Sequence, residues 1–327
     1  MTESLSSSRR PFLAAATGLL AAPALAQPTG RPLRIVVPFA PGGVSDILTR
    51  GLAELLMPVL GRPVVVENRS GAGGNVGAEY VARGVADGSV LLSASPATVG
   101  IAKPLYGNLA YDPDTDLVAV GLMGAQANLL LTSARAVPDA TIPGLLAAAR
   151  TRPAGLNLGS GGVGSLAHLT GELFARDAGI RLTHVPYRGS SQAVADLMTG
   201  ELQVMFDAVV TARPLAEAGS IRILGTATAG RLESLPEVPS LVELGYPSMD
   251  VPNWFGLFAP AGTPPPALAT LRGAMAGVTA TPAWAAQLRR HHAEPLSPAG
   301  PALEAFLRRE RARWAEVVRR SGVSAAT

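Results

Sequence analysis

Short apolar runs alternate along this chain with longer stretches in which apolar residues recur every three or four positions. Leu33–Val37 is a five-residue apolar run that stops at Pro38, the pattern of a buried strand. Ile47, Leu48, Leu52, Leu55, Leu56, Val59 and Leu60 then recur at helical spacing, with Ser45 as cap and Gly61 as stop. Val64–Val66 and Val90–Ala94 predict two further strands, with a helix from Val76 to Ala86 between them. This β-α-β-α-β order predicts parallel strands whose carboxyl-end loops form a site. After another apolar run at Leu129–Thr132 the pattern restarts. Helices are predicted over 143–150, 166–178 and 192–199, and strands over 156–158, 182–185, 203–206 and 221–226. Trp254–Phe258 lies between two Pro-rich stretches and reads as a strand returning to the first unit. Helices close the chain; in the last, Leu303, Phe306, Leu307, Trp314, Val317 and Val318 share one apolar face, with most of its Arg residues on the other.

Four glycine-rich turns sit between a predicted strand and a predicted helix: 38–46, 70–77, 159–165 and 187–191. Glycine lets the backbone come close to a ligand, because no Cβ intervenes. The helix behind each turn presents unpaired N–H groups and the positive end of its dipole. Several such ends facing one cleft would form an anion site with little need for charged side chains. That pattern favours a receptor for a small carboxylate over an enzyme. A nucleotide-binding enzyme fits less well. Gly71-Ala72-Gly73-Gly74-Asn75-Val76-Gly77 departs from G-x-G-x-x-G, no P-loop Lys is present, and Gly162-Val163-Gly164-Ser165 is offset from a nucleophile elbow.

Composition sharpens this picture in three places. Of 327 residues 48% are hydrophobic and 16% charged, which suits two globular α/β units. The net charge is +3 and the pI about 9.7, but the Arg residues are scattered until the last forty positions and carry no aromatic stacking motif, so nucleic acid is not an expected partner. There is no cysteine, which excludes disulfides and thiolate chemistry. His291-His292 lacks a third ligand nearby, so no metal site is expected, and His168 and His184 read as structural. No cofactor is implied. Residues 1–26 read as a signal peptide of the twin-arginine type: Arg9-Arg10, a mild apolar stretch, then Ala24-Leu25-Ala26 as the cleavage site. The mature chain is expected to begin at Gln27 and to work, soluble, in a periplasm.

The chain resembles the Bug-type solute-binding receptors of the tripartite tricarboxylate transport systems over nearly its whole mature length. The resemblance is carried by Val37-Pro38-Phe39-Ala40-Pro41-Gly42-Gly43 with Asp46, and by Gly71-Ala72-Gly73-Gly74-Asn75 with Gly77. It continues through Ala86-Asp87-Gly88, Gly161-Gly162-Val163-Gly164-Ser165 with His168-Leu169, Val185-Pro186-Tyr187-Arg188-Gly189, Phe206-Asp207 and Trp254–Pro264. It implies a two-lobed periplasmic-binding-protein fold of type II, the flytrap. Each lobe would be a mainly parallel sheet flanked by helices, with two chain crossings. Lobe 1 is expected to comprise 27–131 and 252–327, and lobe 2 residues 132–251. The resemblance also implies a small carboxylate ligand held mostly by backbone amides, a monomer, and a membrane permease as partner, with a sensor kinase as an alternative output.

In the site so implied, Ala40, Gly42 and Gly43 supply backbone donors, beside Phe39. Gly74 and Asn75 line the same lobe's second turn, and Ser95 stands in a loop that departs from the family pattern. Ser160, Gly162, Gly164 and Ser165 clamp the ligand from the other lobe, Ser165 also serving as a helix cap. Asp46 lies in a first helical turn, where a carboxylate is favoured with or without a ligand. Tyr187 and Arg188 follow a lobe 2 strand; Arg188 pairs with the ligand, clamps the lobes or is solvated. Asp207 would repel an anionic ligand, so it either meets a ligand amine or hydroxyl or is tied to backbone N–H groups.

Overall fold

The computed structural model describes residues 30–187, 189–296 and 298–324; the signal peptide read over 1–26, and Arg188, lie outside the described residues. The chain first forms β1 (Leu33–Val37), α1 (Val44–Leu60), β2 (Val64–Asn68), α2 (Asn75–Ala82), β3 (Val90–Ala94), α3 (Ala102–Leu105) and β4 (Leu117–Gln126). It continues through β5 (Asn128–Ser133), α4 (Ile142–Arg150), β6 (Leu156–Ser160), α5 (Leu166–Ala178), β7 (Leu182–Pro186), α6 (Ser190–Thr199), β8 (Val204–Ala208), α7 (Val209–Glu217) and β9 (Ile221–Thr226). The return runs through β10 (Asn253–Pro260) to α8 (Pro265–Thr279), α9 (Pro282–Arg290), β11 (Ala293–Glu294) and α10 (Pro301–Ser321).

These strands form two sheets, one ordered β11-β4-β10-β3-β1-β2 and the other β7-β6-β8-β5-β9. Where a helix links successive strands the pairing is parallel: β1 with β2 and β3, and β6 with β7 and β8. The strands next to the lobe crossings enter antiparallel. β10 opposes β3 and β4, and β5 opposes β8 and β9. The two-lobed α/β fold is as expected, but both sheets are mixed rather than mainly parallel. A strand arriving from the other lobe has no crossover helix to turn it round.

The two crossings lie side by side. β4 ends at Gln126, β5 begins at Asn128, and only Ala127 separates them. Asn253, which opens β10, pairs with Gln126. Ala227 ties the strands below this point, its N–H donating to the Asn128 carbonyl at 2.8 Å and its carbonyl accepting from Val251 N–H at 3.1 Å. Residues 128–131 therefore hydrogen-bond in the second sheet, and the lobe boundary falls at Ala127 rather than after 131. β4 had no counterpart in the sequence reading, because Gly121 and Gly124 interrupt its apolar run; Gly124 has φ of +157° and lies at an irregularity in the β4–β10 register.

Helix α10 belongs to neither lobe alone. Leu303 and Leu307 pack with Val36, Leu92, Trp254 and Phe258 of the first lobe. Trp314, Val317 and Val318 pack with Leu173, Phe174 and Phe206 of the second. The last three turns of the helix thus pack against both lobes, since the same cluster holds Ile101 and Leu105 of the first. Between these halves the buried Glu310 accepts from Trp254 Nε1 at 2.9 Å and meets Arg313 at 3.2 Å. Arg313 also donates to the Asp250 carbonyl at 2.6 Å, on the second crossing. Burial pushes the Glu310 carboxyl up, against the opposing pull of Arg313 and the Trp254 hydrogen bond.

Trp314 is fully buried and sits so close to Gly100 that a Cβ there would come 2.8 Å from its Cδ1. Truncating such a side chain removes about 3–5 kcal/mol. Trp314→Ala is expected to lower urea-unfolding stability by that amount, whereas a loss below about 1 kcal/mol would show that the helix does not pin the lobes together.

Candidate functional site

Between the lobes lies a cavity of about 580 Å³ lined by both. Lobe 1 contributes Phe39, the start of α1 at Gly43, Val44 and Ser45, then Gly73, Ser95, Ala97, and Ile101, Leu105 and Tyr106 around α3. Lobe 2 contributes the turn 161–165, the start of α5 at Leu166 and Ala167, Gly189 and Ser190 at α6, and Phe206, Asp207 and Ala208 at α7. The crossings form the remaining wall through Gln126, Asn128, Asn253 and Phe255.

Four helix N-termini therefore face one space. α1, α6 and α7 follow Gly43, Gly189 and Ala208, and none has a side-chain cap. α5 is capped by Ser165, whose Oγ accepts only from His168 N–H, at 3.3 Å. The first-turn N–H groups of a helix have no partner inside it and carry the positive end of the dipole. No Lys, Arg or His side chain lines the cavity among the described residues; Tyr106 and Asp207 are the titratable lining side chains there.

The sequence-derived candidates divide into two groups. Phe39, Gly43, Ser95, Gly162, Gly164, Ser165 and Asp207 line the cavity. The other described candidates lie off its wall, several of them holding it. Ala40 is exposed. Gly42 donates its N–H to Asp46 Oδ2 at 3.0 Å, so that amide is already used. Asp46 is buried and also accepts from Arg50 and Asn68. Burial opposes its ionisation, but the bonds from Arg50, Gly42 and Asn68 and the charge of Arg50 hold its carboxyl below the usual value. Gly74 packs under the Phe39 ring and against Thr98, where a Cβ would come 2.8 Å from Thr98 Cγ2; its neighbour Gly73 faces the cavity instead. Asn75 is buried and accepts from Tyr111. Ser160 is fully buried inside its own turn. Gly164, though on the wall, gives its N–H to His168 Nδ1 at 3.0 Å and has none left for a ligand. Tyr187 donates to Asp196 Oδ2 at 2.6 Å.

The crossing residues Gln126, Asn128 and Asn253 were missed. Gln126 and Asn128 are isolated amides in an apolar run, and that isolation was the available signal. Gln126 donates from Nε2 to the His291 carbonyl at 2.7 Å, while its Oε1 is buried without a partner. Asn128 Nδ2 and Asp207 Oδ2 are likewise buried and unpartnered. Unpaired buried polar atoms are costly, and these three belong to residues that line the cavity. The other Asp207 oxygen accepts from Ala208 N–H at 2.8 Å. Burial pushes the Asp207 carboxyl up to about 6, the Ala208 bond pulling the other way.

Asp46 gives a prediction with a definite sign. Its folded-state carboxyl titrates below its unfolded value, so its contribution to stability is present above about pH 4 and is lost as the pH falls through the folded value. Asp46→Asn is expected to destabilise strongly at pH 7 and much less at pH 3, read by thermal melts at both. An equal loss at both would show that the charge on Asp46 does not hold the turn.

The same architecture occurs in known proteins. The family model described as the tripartite tricarboxylate transporter family receptor matches residues 48–323. Protein BugT of Bordetella pertussis is 35% identical over 313 residues, 94% of each chain. Among solved structures, Rpa4515 of R. palustris with adipate has a TM-score of 0.80 at 34% identity, covering 90% of this chain and 99% of that one. MatC from Rhodopseudomonas palustris with bound malate has a TM-score of 0.76 at 32% identity, covering 88% and 99%. The matches extend through both lobes and their crossings, and the chain belongs to the Bug-type receptor family of the tripartite tricarboxylate transporters.

Proposed function

We propose that this protein is a periplasmic receptor that encloses a small carboxylate between its lobes and delivers it to a membrane permease of the tripartite tricarboxylate type. The observation that carries this reading is the convergence of four helix N-termini on one cavity whose described lining holds no cationic side chain. Adipate and malate, named with two similar structures, are acids of a size the cavity takes. The magnitudes agree. A micromolar ligand needs about −8 kcal/mol. Hydrogen bonds to a charged acceptor contribute about 1.5–3 kcal/mol each, so five or six suffice after the loss on closure.

A thermal-shift screen of mono-, di- and tricarboxylates and amino acids tests the reading. A ligand at a hundredfold excess over its Kd stabilises by about 2.7 kcal/mol, and a rise of several degrees is expected for at least one acid class. An unmoved melting curve across the whole panel would contradict it. Loss of uptake of that acid in a deletion strain tests delivery to the permease.

Within this reading Asp207 selects. Above pH 7 it is mostly ionised, and a plain dicarboxylate would add two negative charges beside it. A ligand amine meets Asp207 Oδ2 and relieves that repulsion. At pH 7.5 aspartate and glutamate are expected to bind at least about tenfold more tightly than succinate and glutarate, a difference of one pKa unit in interaction. Asp207→Asn is expected to erase the preference, as is lowering the pH to 5 in the wild type, where Asp207 takes a proton. Equal effects of the substitution on both members of each pair would remove this role.

A further inference from the structure

The turn that forms much of the lobe 2 wall is held from behind by two stacked imidazoles. The rings of His168, on α5, and His184, on β7, lie 3.5 Å apart and within 8° of parallel. His168 Nδ1 accepts the Gly164 N–H at 3.0 Å, so its proton sits on Nε2, which faces Glu172 at 3.5 Å. His184 Nε2 meets Ser160 Oγ at 2.7 Å. That hydroxyl lies 2.9 Å from the Gly162 carbonyl and accepts the Gly162 N–H at 3.2 Å. Gly162 and Gly164, both at positive φ (+136° and +72°), are thus fixed by one imidazole each, one through Ser160 and the other directly. Both glycines line the cavity.

We propose that His168 and His184 are positioning residues for the ligand cavity: as a neutral stacked pair they hold the turn from Gly161 to Ser165 in its ligand-facing shape, and acid releases it. This deepens the carboxylate-receptor reading and rests on it for the word ligand.

The chemistry follows from the bonds. A proton on His168 Nδ1 would oppose two N–H groups and break the hold on Gly164. Protons on both rings would stack two cations at 3.5 Å. Burial first, then the charge of His168, pushes His184 down to about 4, while Glu172 acts the other way. Glu172 also lines a groove between α5, β7 and α10 with Arg176, Arg181 and Arg320. The sign is fixed by linkage. An opened turn leaves the ring nearer its ordinary value of 6.5, so the opened form takes up protons more readily, and closure weakens as pH falls from about 6.5 towards 4. Asp207 titrates in the same window, but its protonation strengthens the capture of a plain dicarboxylate, the opposite direction.

The test uses the full mature chain without ligand. The amide resonances of Gly162 and Gly164 are followed by NMR from pH 7.5 to 3.5, together with the imidazole carbons. Both amides are expected to move with the imidazole titration. In His184→Gln, which keeps a donor towards Ser160 but cannot titrate, the Gly162 movement is expected to vanish. Amides that stay still in the wild type, or move identically in the variant, would overturn the proposal, and the wild-type titration alone decides if the variant does not fold. As a second readout, affinity for succinate, glutarate and adipate is measured at pH 6.5 and 5 in Asp207→Asn, which removes the opposing titration on the cavity wall. One proton taken up on release predicts a fall of up to about tenfold per pH unit. An affinity that is flat or rises overturns the proposal. If the amides titrate while no diacid binds at either pH, the positioning stands and the carboxylate reading fails, so the two are separable.

Discussion

Main-chain N–H groups that have no partner inside their own helices, at the starts of α1, α5, α6 and α7, converge on one cleft between the two lobes. Among the described residues no basic side chain lines that cleft. The consequence is strict. In the function proposed above, a carboxylate gains its hydrogen bonds only where both lobes present their helix ends together, so capture and closure would be one event. Glycine at the lips of these turns allows that approach, and the buried side chains behind them hold the amides in place.

Those supports differ between the lobes. In lobe 1 the carboxylate of Asp46 gathers Gly42 N–H, Arg50 and Asn68 behind the turn. In lobe 2 two imidazoles and the Ser160 hydroxyl perform the same task from the opposite face. The hinge is equally economical. Two crossings lie in register at Gln126 and Asn253, and Glu310 and Arg313 of α10 fasten them to the helix that spans both lobes. The crossings also furnish cavity wall, through Gln126, Asn128, Asn253 and Phe255.

Much of this was legible in the sequence because it is local. The strand–glycine–helix pattern located three of the four helix N-termini, at α1, α5 and α6, and the isolated Asp207 stood out after its strand. The part that was not legible depends on how the turns close on their own side chains and on which strands meet. Nothing in Gly42, Ser160 or Gly164 shows that its polar groups are already taken, because the partners Asp46, His184 and His168 reach them only once the chain has folded. Gln126 and Asn128 lie on the wall because β4 and β5 meet at Ala127. Strand β4 itself was hidden by its glycines. The lobe assignment of α10 depends on a helix long enough to touch both cores, which its apolar stripe alone does not disclose.

The most direct test of the amide-held site is the response of backbone N–H resonances when the protein is saturated with a carboxylate that raises its melting temperature. Val44 and Ser45 from one lobe, and Leu166, Ala167 and Ser190 from the other, are predicted to shift downfield together, as donors to an anion do. Shifts confined to a single lobe, or confined to side-chain signals while these amides stay unmoved, would contradict it.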